Sequence, residues 1–553
     1  LPPRPTDRAE GQREDAAFKQ ARAEWIRSLH RAAPGTDWEA IDRATRYARA
    51  QQRFRQRASQ TGRTTSADYA QDTLAGGLLS GHWRETGSSN QAGRIHLAEY
   101  HAPSGTLYLA SSGGNIWVGN RQGDRWEVRN DMLRIPDIQF LRRVDLPGGG
   151  HRLLVASSDW GEAGFRYSDD DGYTWSFSTG LENISSWGRV LRVEMVPGPQ
   201  PVLYLLALEW DNSAWESITS VYRSTDLGLS FVRLFSRPNA QTGGENQLDI
   251  WTDRYQAGPV YLLENQHLYT IDSLGQAQLQ DSLPLTTIPG AARLRGRVDS
   301  SGQVYLYALY RDGSDSELYR STPGGGGWQA AGTVPSGLFF RNSFAVDIAD
   351  PERVYVGGID AYRSGDGAQS WQQVNVWWEY YSDPANKLHA DIPSFDSFVD
   401  SSGQPFTLIS TDGGLYISYD GLQTVQNISL DGLHVSQYYS TYTHNTNPAI
   451  IYAGSQDQGY QRSLPPDTGQ VKTFEQLISG DYGHLVSGDG GQSLWMNYPG
   501  FTRYYPNAAQ SGYGFDRDFD GSGHLWLAPL IADPTSPTAA YLGGGSLDGQ
   551  GAQ

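Results

Sequence analysis

The chain has 553 residues, of which 64 are glycine and 12% are aromatic, with a formal net charge of −18 and no cysteine. That length exceeds one ordinary core, and the glycine content without long helical periodicity points to many short strands and tight turns, an all-β fold. The acidic balance supplies no basic stripe for nucleic acid or an anionic membrane, and the missing cysteines exclude disulfides and thiolate metal sites. No run of about 18 apolar residues is present to form a spanning helix. The first residue is Leu1 rather than methionine, so the expectation is a bacterial protein of the cell surface or medium whose signal peptide has been removed.

Residues 1–75 form a distinct predicted unit, a helical N-terminal arm. Phe18, Ala21, Trp25, Ile26 and Leu29 recur at helical spacing, as do Trp38, Ile41, Ala44 and Tyr47 after the break at Pro34-Gly35. Asp37 is placed to cap the second helix. Such an arm either recruits a partner or packs across the outside of the β body.

From residue 76 the texture changes to paired apolar runs, ten hairpins spaced by roughly 43 to 57 residues, the period of four-stranded β-propeller blades. A second signal runs in phase with them. Ser168-Asp169-Asp170-Asp171-Gly172-Tyr173-Thr174-Trp175 reads S-x-D-x-G-x-T-W, and Ser224, Asp226, Gly228 and Phe231 mark a second full copy. Degraded copies follow at 321–328, where Pro323 replaces the aspartate, at 364–371, where Ala368 replaces the glycine, and at 418–425; an earlier one lies at 119–126. Asp170 is expected to accept hydrogen bonds at the bend, Gly172 to take positive φ and Trp175 to start a strand with a large buried side chain. Loss of the aspartate at Pro323 without loss of the blade pattern makes this residue a turn lock rather than a catalytic acid.

This series resembles the Asp-box, or BNR, repeats of sialidases, xyloglucanase-type glycoside hydrolases and sortilin or Vps10 propellers. Ala92-Gly93-Arg94-Ile95, the run from Leu107 to Trp117, Leu388-His389-Ala390-Asp391, Ser410-Thr411-Asp412-Gly413-Gly414, and Gly454-Ser455-Gln456-Asp457-Gln458-Gly459 resemble the large sortilin-like proteins secreted by bacteria. The resemblance spans residues 80–553 and implies a propeller. It does not choose among enzymes, receptors and surface proteins, all of which use this scaffold. In the family pattern a histidine stands two residues after the Asp391 position, and here Pro393 replaces it, removing a metal or general-base partner.

Glycosidase chemistry needs two carboxyl groups about 5 to 10 Å apart on one sugar subsite. Asp391, Asp412, Asp457 and Glu379 are the candidates, and Trp377, Trp378, Tyr380 and Tyr381, with His389, form an aromatic group suited to stacking on sugars or to packing between blades. Leu133-Arg134-Ile135-Pro136 mimics the sialidase arginine motif, but it follows the first box, and no tyrosine nucleophile with its glutamate can be picked out. Asp516, Asp518, Asp520 and Ser522 alternate before Gly523 as oxygen donors for calcium would, although Leu527 stands where a closing acid is usual.

Two ring arrangements fit the hairpin count. One is a propeller over 76–432 with seven blades, followed by the start of a second, incomplete one over 433–553; the other is a single ring of ten blades. A partner or further chain is expected to cover the C-terminal blade edge. The function expected is a binding or structural surface for polysaccharide or protein partners, with a glycoside hydrolase and a sortilin-like peptide receptor as alternatives.

Overall fold

The structure is a computed structural model describing residues 16–544 except 30–32, 39, 43, 46–47, 50–70, 75–77, 83–84, 132, 159–162, 183, 185–187, 212–215, 239–247, 286–290, 313–314, 322–326, 466–470 and 520–523. Among the described residues the chain folds into nine four-stranded antiparallel sheets and two two-stranded ones. Each four-stranded sheet is built from strands consecutive in sequence, which is the blade of a propeller.

The first blade shows the pattern. Ile95–His101, Thr106–Ser111, Ile116–Gly119 and Trp126–Val128 pair in order. Its second strand is buried along nearly its whole length, because both faces of a blade are covered by neighbours. Outer strands alternate or lie open, as Ala277–Ser282 does. Ile95, Leu107 and Leu109 of the first blade share a core with Phe406, Leu408 and Leu415, which lie in the sheet that opens with Ser394–Val399. Further cores join each pair of neighbours between, so the chain of packed faces passes through seven sheets and returns to the first. Beyond them, Tyr438–Thr443 and Gly483–Val486 open two more blades with their own shared core of Tyr452, Tyr460, Tyr482 and Leu494. A hairpin of Leu530–Ala532 and Ala540–Leu542 packs on the last of them.

The repeated motif is a locked turn between the third and fourth strands. Ser168 Oγ donates to Asp170 Oδ1 and accepts the Gly172 N–H at 2.8 Å, while Asp170 takes the Thr174 N–H at 2.8 Å and its hydroxyl at 2.6 Å. Trp175 is buried and its Nε1 donates to Gly172 O. Two successive residues are left-handed, Asp171 at φ 62 and Gly172 at φ 90. The same bonds recur at Ser224 and Asp226, with Gly228 at φ 80 and Phe231 buried in place of the tryptophan. They recur again at Ser364 and Asp366 and at Ser418 and Asp420, where Ala368 and Leu422 take the left-handed position at φ 68 and 61. One further copy, Ser487 to Ser493 with Asp489 at its centre, sits instead between the first and second strands of its blade. Most of the copy at 321–328 lies outside the described residues.

The helix Ala16–Ser28 packs on the later blades through Trp25, which is 5% exposed and lies against Tyr439, His484 and Trp526. Asp37 caps the next turn by accepting the Ala40 N–H at 2.9 Å. No helix of the described residues is long and apolar enough to cross a membrane.

Candidate functional site

Four chain segments meet on one loop face. Arg94 leads into Ile95–His101, residues 389–393 lead into Ser394–Val399, Asp412 tips the hairpin between Pro405–Thr411 and Gly414–Ser418, and Asp457 tips that between Ile451–Ser455 and Gly459–Arg462. Asp391 and Asp457 hold left-handed backbone at φ 61 and 59, a conformation unfavourable to residues with a Cβ and common at functional sites. Asp391 is fixed by donating its N–H to Ile359 O at 2.8 Å, and Asp412 by donating to Ala390 and Asp391 O. Gly413 has no alternative, because a Cβ there would lie 2.5 Å from the His389 ring.

One carboxylate oxygen from each of Asp391, Asp412 and Asp457 lies within 4.8 Å of the others. Arg94 sits among them. It donates from Nε and Nη2 to both oxygens of Asp412, and its Nη2 lies 3.3 Å from Asp457 Oδ2. The Asp412 side chain has 0% exposure. Burial is the largest influence on its carboxyl and raises it well above the usual carboxylate range; Arg94 opposes this, and Asp457 and Asp391 add to it. Burial also disfavours the Arg94 charge, yet Asp412, Asp457 and Asp391 together outweigh it and raise the guanidinium above its ordinary value. The spacing of three oxygens would suit a hard cation, but the arginine already occupies two of the carboxylates.

Of the expected acids, the structure thus brings Asp391, Asp412 and Asp457 together and leaves Glu379 out. Glu379 instead pairs with Lys387 at 2.5 Å. The aromatic group divides by burial. Tyr380, Tyr381 and His389 are buried and pack on one another, with the Tyr380 and His389 ring centroids 4.7 Å apart, so they support the carboxylate loops rather than face a ligand. Trp378 is 50% exposed and stands edge-on to Trp377 at 5.7 Å, leaving the two tryptophans as the platform that can stack on a sugar. Trp377 is held by its N–H donated to Asp360 at 2.8 Å.

Arg94 is the residue sequence reasoning passed over. It stands beside Gly93 in a quoted motif, but nothing local to it signals carboxylates more than 300 positions away in the chain. Arg134 is exposed and takes no part. Of the expected calcium donors, Asp516 and Asp518 lie on the strand Phe515–Asp518, and Asp516 receives Arg503 Nη1 at 2.5 Å. Asp520 and Ser522 lie outside the described residues.

No family model matches the chain, and no curated protein does. Solved structures do. The GH74 enzyme of Niastella koreensis superposes with a TM-score of 0.58 at 12% identity, covering 83% of this chain and 70% of that one. The GH74 xyloglucanase of Xanthomonas campestris gives 0.56 at 15%, covering 82% and 71%. An ancestral GH74 enzyme gives 0.55 at 13%, covering 82% and 66%. At these identities the likeness is one of fold, and with the sheets described above it makes this chain a β-propeller protein.

Proposed function

We propose that this chain is a polysaccharide-binding propeller acting outside the cell, with its binding face on the loops around Asp391, Asp457, Trp377 and Trp378. The observation that carries the reading is the state of the carboxylates. They are crowded within 4.8 Å and Arg94 engages two of them, whereas an inverting glycosidase keeps its pair about 6.5 to 9.5 Å apart to admit water. Asp412, with no exposed surface, has no path to a glycosidic oxygen. The likeness in fold to GH74 enzymes, one of them a xyloglucanase, supports glycans as the ligand class. We propose in addition that the seven sheets within 76–432 form one ring and that 433–553 begins a second.

One observation favours a hydrolase as the second reading. The carboxylate oxygens of Asp391 and Asp457 lie within 4.8 Å of each other, a spacing that approaches the roughly 5 Å of a retaining pair.

Affinity electrophoresis against soluble xyloglucan, mixed-linkage glucan and an acidic polysaccharide, with reducing ends assayed in the same mixtures, separates the readings. Retardation without new reducing ends supports binding. Reducing ends that disappear in the paired Asp391→Asn, Asp457→Asn variant would establish hydrolysis. No retardation by any glycan would remove the proposal and leave a protein or peptide partner.

A further inference from the structure

A second polar site lies inside the ring of seven sheets and shares no residue with the Arg94 cluster. A cavity of about 180 Å³ is lined by the innermost strands of all seven. Central strands of a propeller converge there, and an apolar lining would be the inexpensive choice; instead five arginines reach it. Buried arginines are retained where carboxylates neutralise them, because each unpaired charge in such a place costs several kcal/mol.

Four of the five are so neutralised. Arg192 meets Glu194 at 2.6 Å, Arg254 takes Glu99 through both oxygens at 2.6 Å, Arg295 meets Asp249 at 3.0 Å, and Arg297 meets Asp253 at 2.6 Å. Arg142 is the exception. Its contact is with the same Glu99, at 3.3 Å, and its Nε makes no hydrogen bond. The guanidinium is nevertheless held in place, 5.5 Å above the Phe140 ring. The remaining acid of the lining, Asp396, accepts the Ala98 N–H at 3.2 Å and the Ser394 hydroxyl at 2.7 Å on one oxygen, and stands near Arg254 and Arg192 rather than pairing with Arg142. Burial raises the Asp396 carboxyl although Arg254 opposes it, and burial together with Arg254 disfavours the Arg142 charge.

We propose that this cavity binds a small oxyanion, a phosphate or carboxylate group, on the Arg142 guanidinium. The planar fork of arginine suits either group. The ligand proposed is a free anion or a terminal acid group.

The test is a thermal melt and calorimetric titration of the whole chain with inorganic phosphate and, separately, acetate, at ionic strength fixed with sodium chloride. Arg142→Met removes the charge and leaves Glu99 paired with Arg254, and Arg142→Lys restores the charge. Arg134→Met, an exposed arginine, controls for general screening. A saturable rise in Tm with wild type and Arg134→Met, weakened at least tenfold in apparent affinity by Arg142→Met and partly recovered by Arg142→Lys, supports the site, and the stronger of the two probes names its ligand class. No saturable response to either probe, or an equal response in a folded Arg142→Met, would overturn it.

Discussion

At the scale of single residues, four side chains decide most. Asp170 closes its turn by accepting from three donors on its two oxygens, so Asp170→Ala should cost about 2 kcal/mol, read as a lower urea midpoint at unchanged m-value. This role was legible from repetition alone, since a residue that recurs in phase with the hairpins serves the fold. Arg94 was not legible, because its partners are distant in sequence. Removing Arg94 leaves three crowded carboxylates without their cation, so Arg94→Met should cost about 3 to 5 kcal/mol, whereas Asp412→Asn should cost less, because Asp457 still engages Arg94. The double variant should lose much less than the sum, and strict additivity would show that the pair is not coupled. His96, with 12% of its side chain exposed, is held neutral by burial and by Arg94, its pKa lowered from 6.5 to about 4. The unfolded imidazole takes a proton near pH 6.5 and the folded one only near 4, so protonation favours the unfolded chain. Stability therefore falls as pH drops through that window, by about 3 kcal/mol at most, and levels off below it. Asp412, raised rather than lowered, works in the opposite sense, so the informative quantity is the wild-type curve minus that of His96→Gln. A difference independent of pH would contradict the burial argument.

At the scale of elements, strand order and turn chemistry were readable because each blade is consecutive in sequence and four of them carry the same hydrogen-bonded bend before the last strand. Two features escaped. The copy of the turn at Ser487 to Ser493 lies between first and second strands, out of phase with the others, and a search tied to the hairpin period passes it by. The fate of the aromatic run 377–381 also depended on tertiary burial, since its six-residue 3-10 helix turns Tyr380 and Tyr381 inward and Trp378 outward. The helix Ala16–Ser28 was predicted from spacing, and the structure adds its seat: Trp25 among three aromatic rings, with Arg22 donating to the Tyr439 hydroxyl at 2.9 Å. Isolated helices of its length are marginal in water, so the helix depends on packing of this kind. Trp25→Ala should free the arm while the blades stay folded. Limited trypsin digestion should then cut within residues 16–28 at least tenfold faster, and an unchanged cutting rate would show that Trp25 does not anchor the arm.

At the scale of the whole molecule, the propeller brings loops from opposite ends of the chain onto one face, and that is where Arg94 reaches Asp412 and Asp457. The arrangement explains why the carboxylates were recognisable as candidates but not as a neutralised cluster: spacing in sequence reports neither their separation nor the cation between them. On the function proposed above, crowding and the arginine favour binding over cleavage, and the exposed tryptophan edge is the proposed contact for sugar rings. The most direct measurement is affinity electrophoresis of wild type and Trp378→Ala on xyloglucan gels, with reducing ends counted in parallel. The expected result is retardation of the wild type, about tenfold weaker affinity in the variant and no reducing ends from either. Steady release of reducing ends by the wild type, lost in the Asp391→Asn, Asp457→Asn pair, would contradict it.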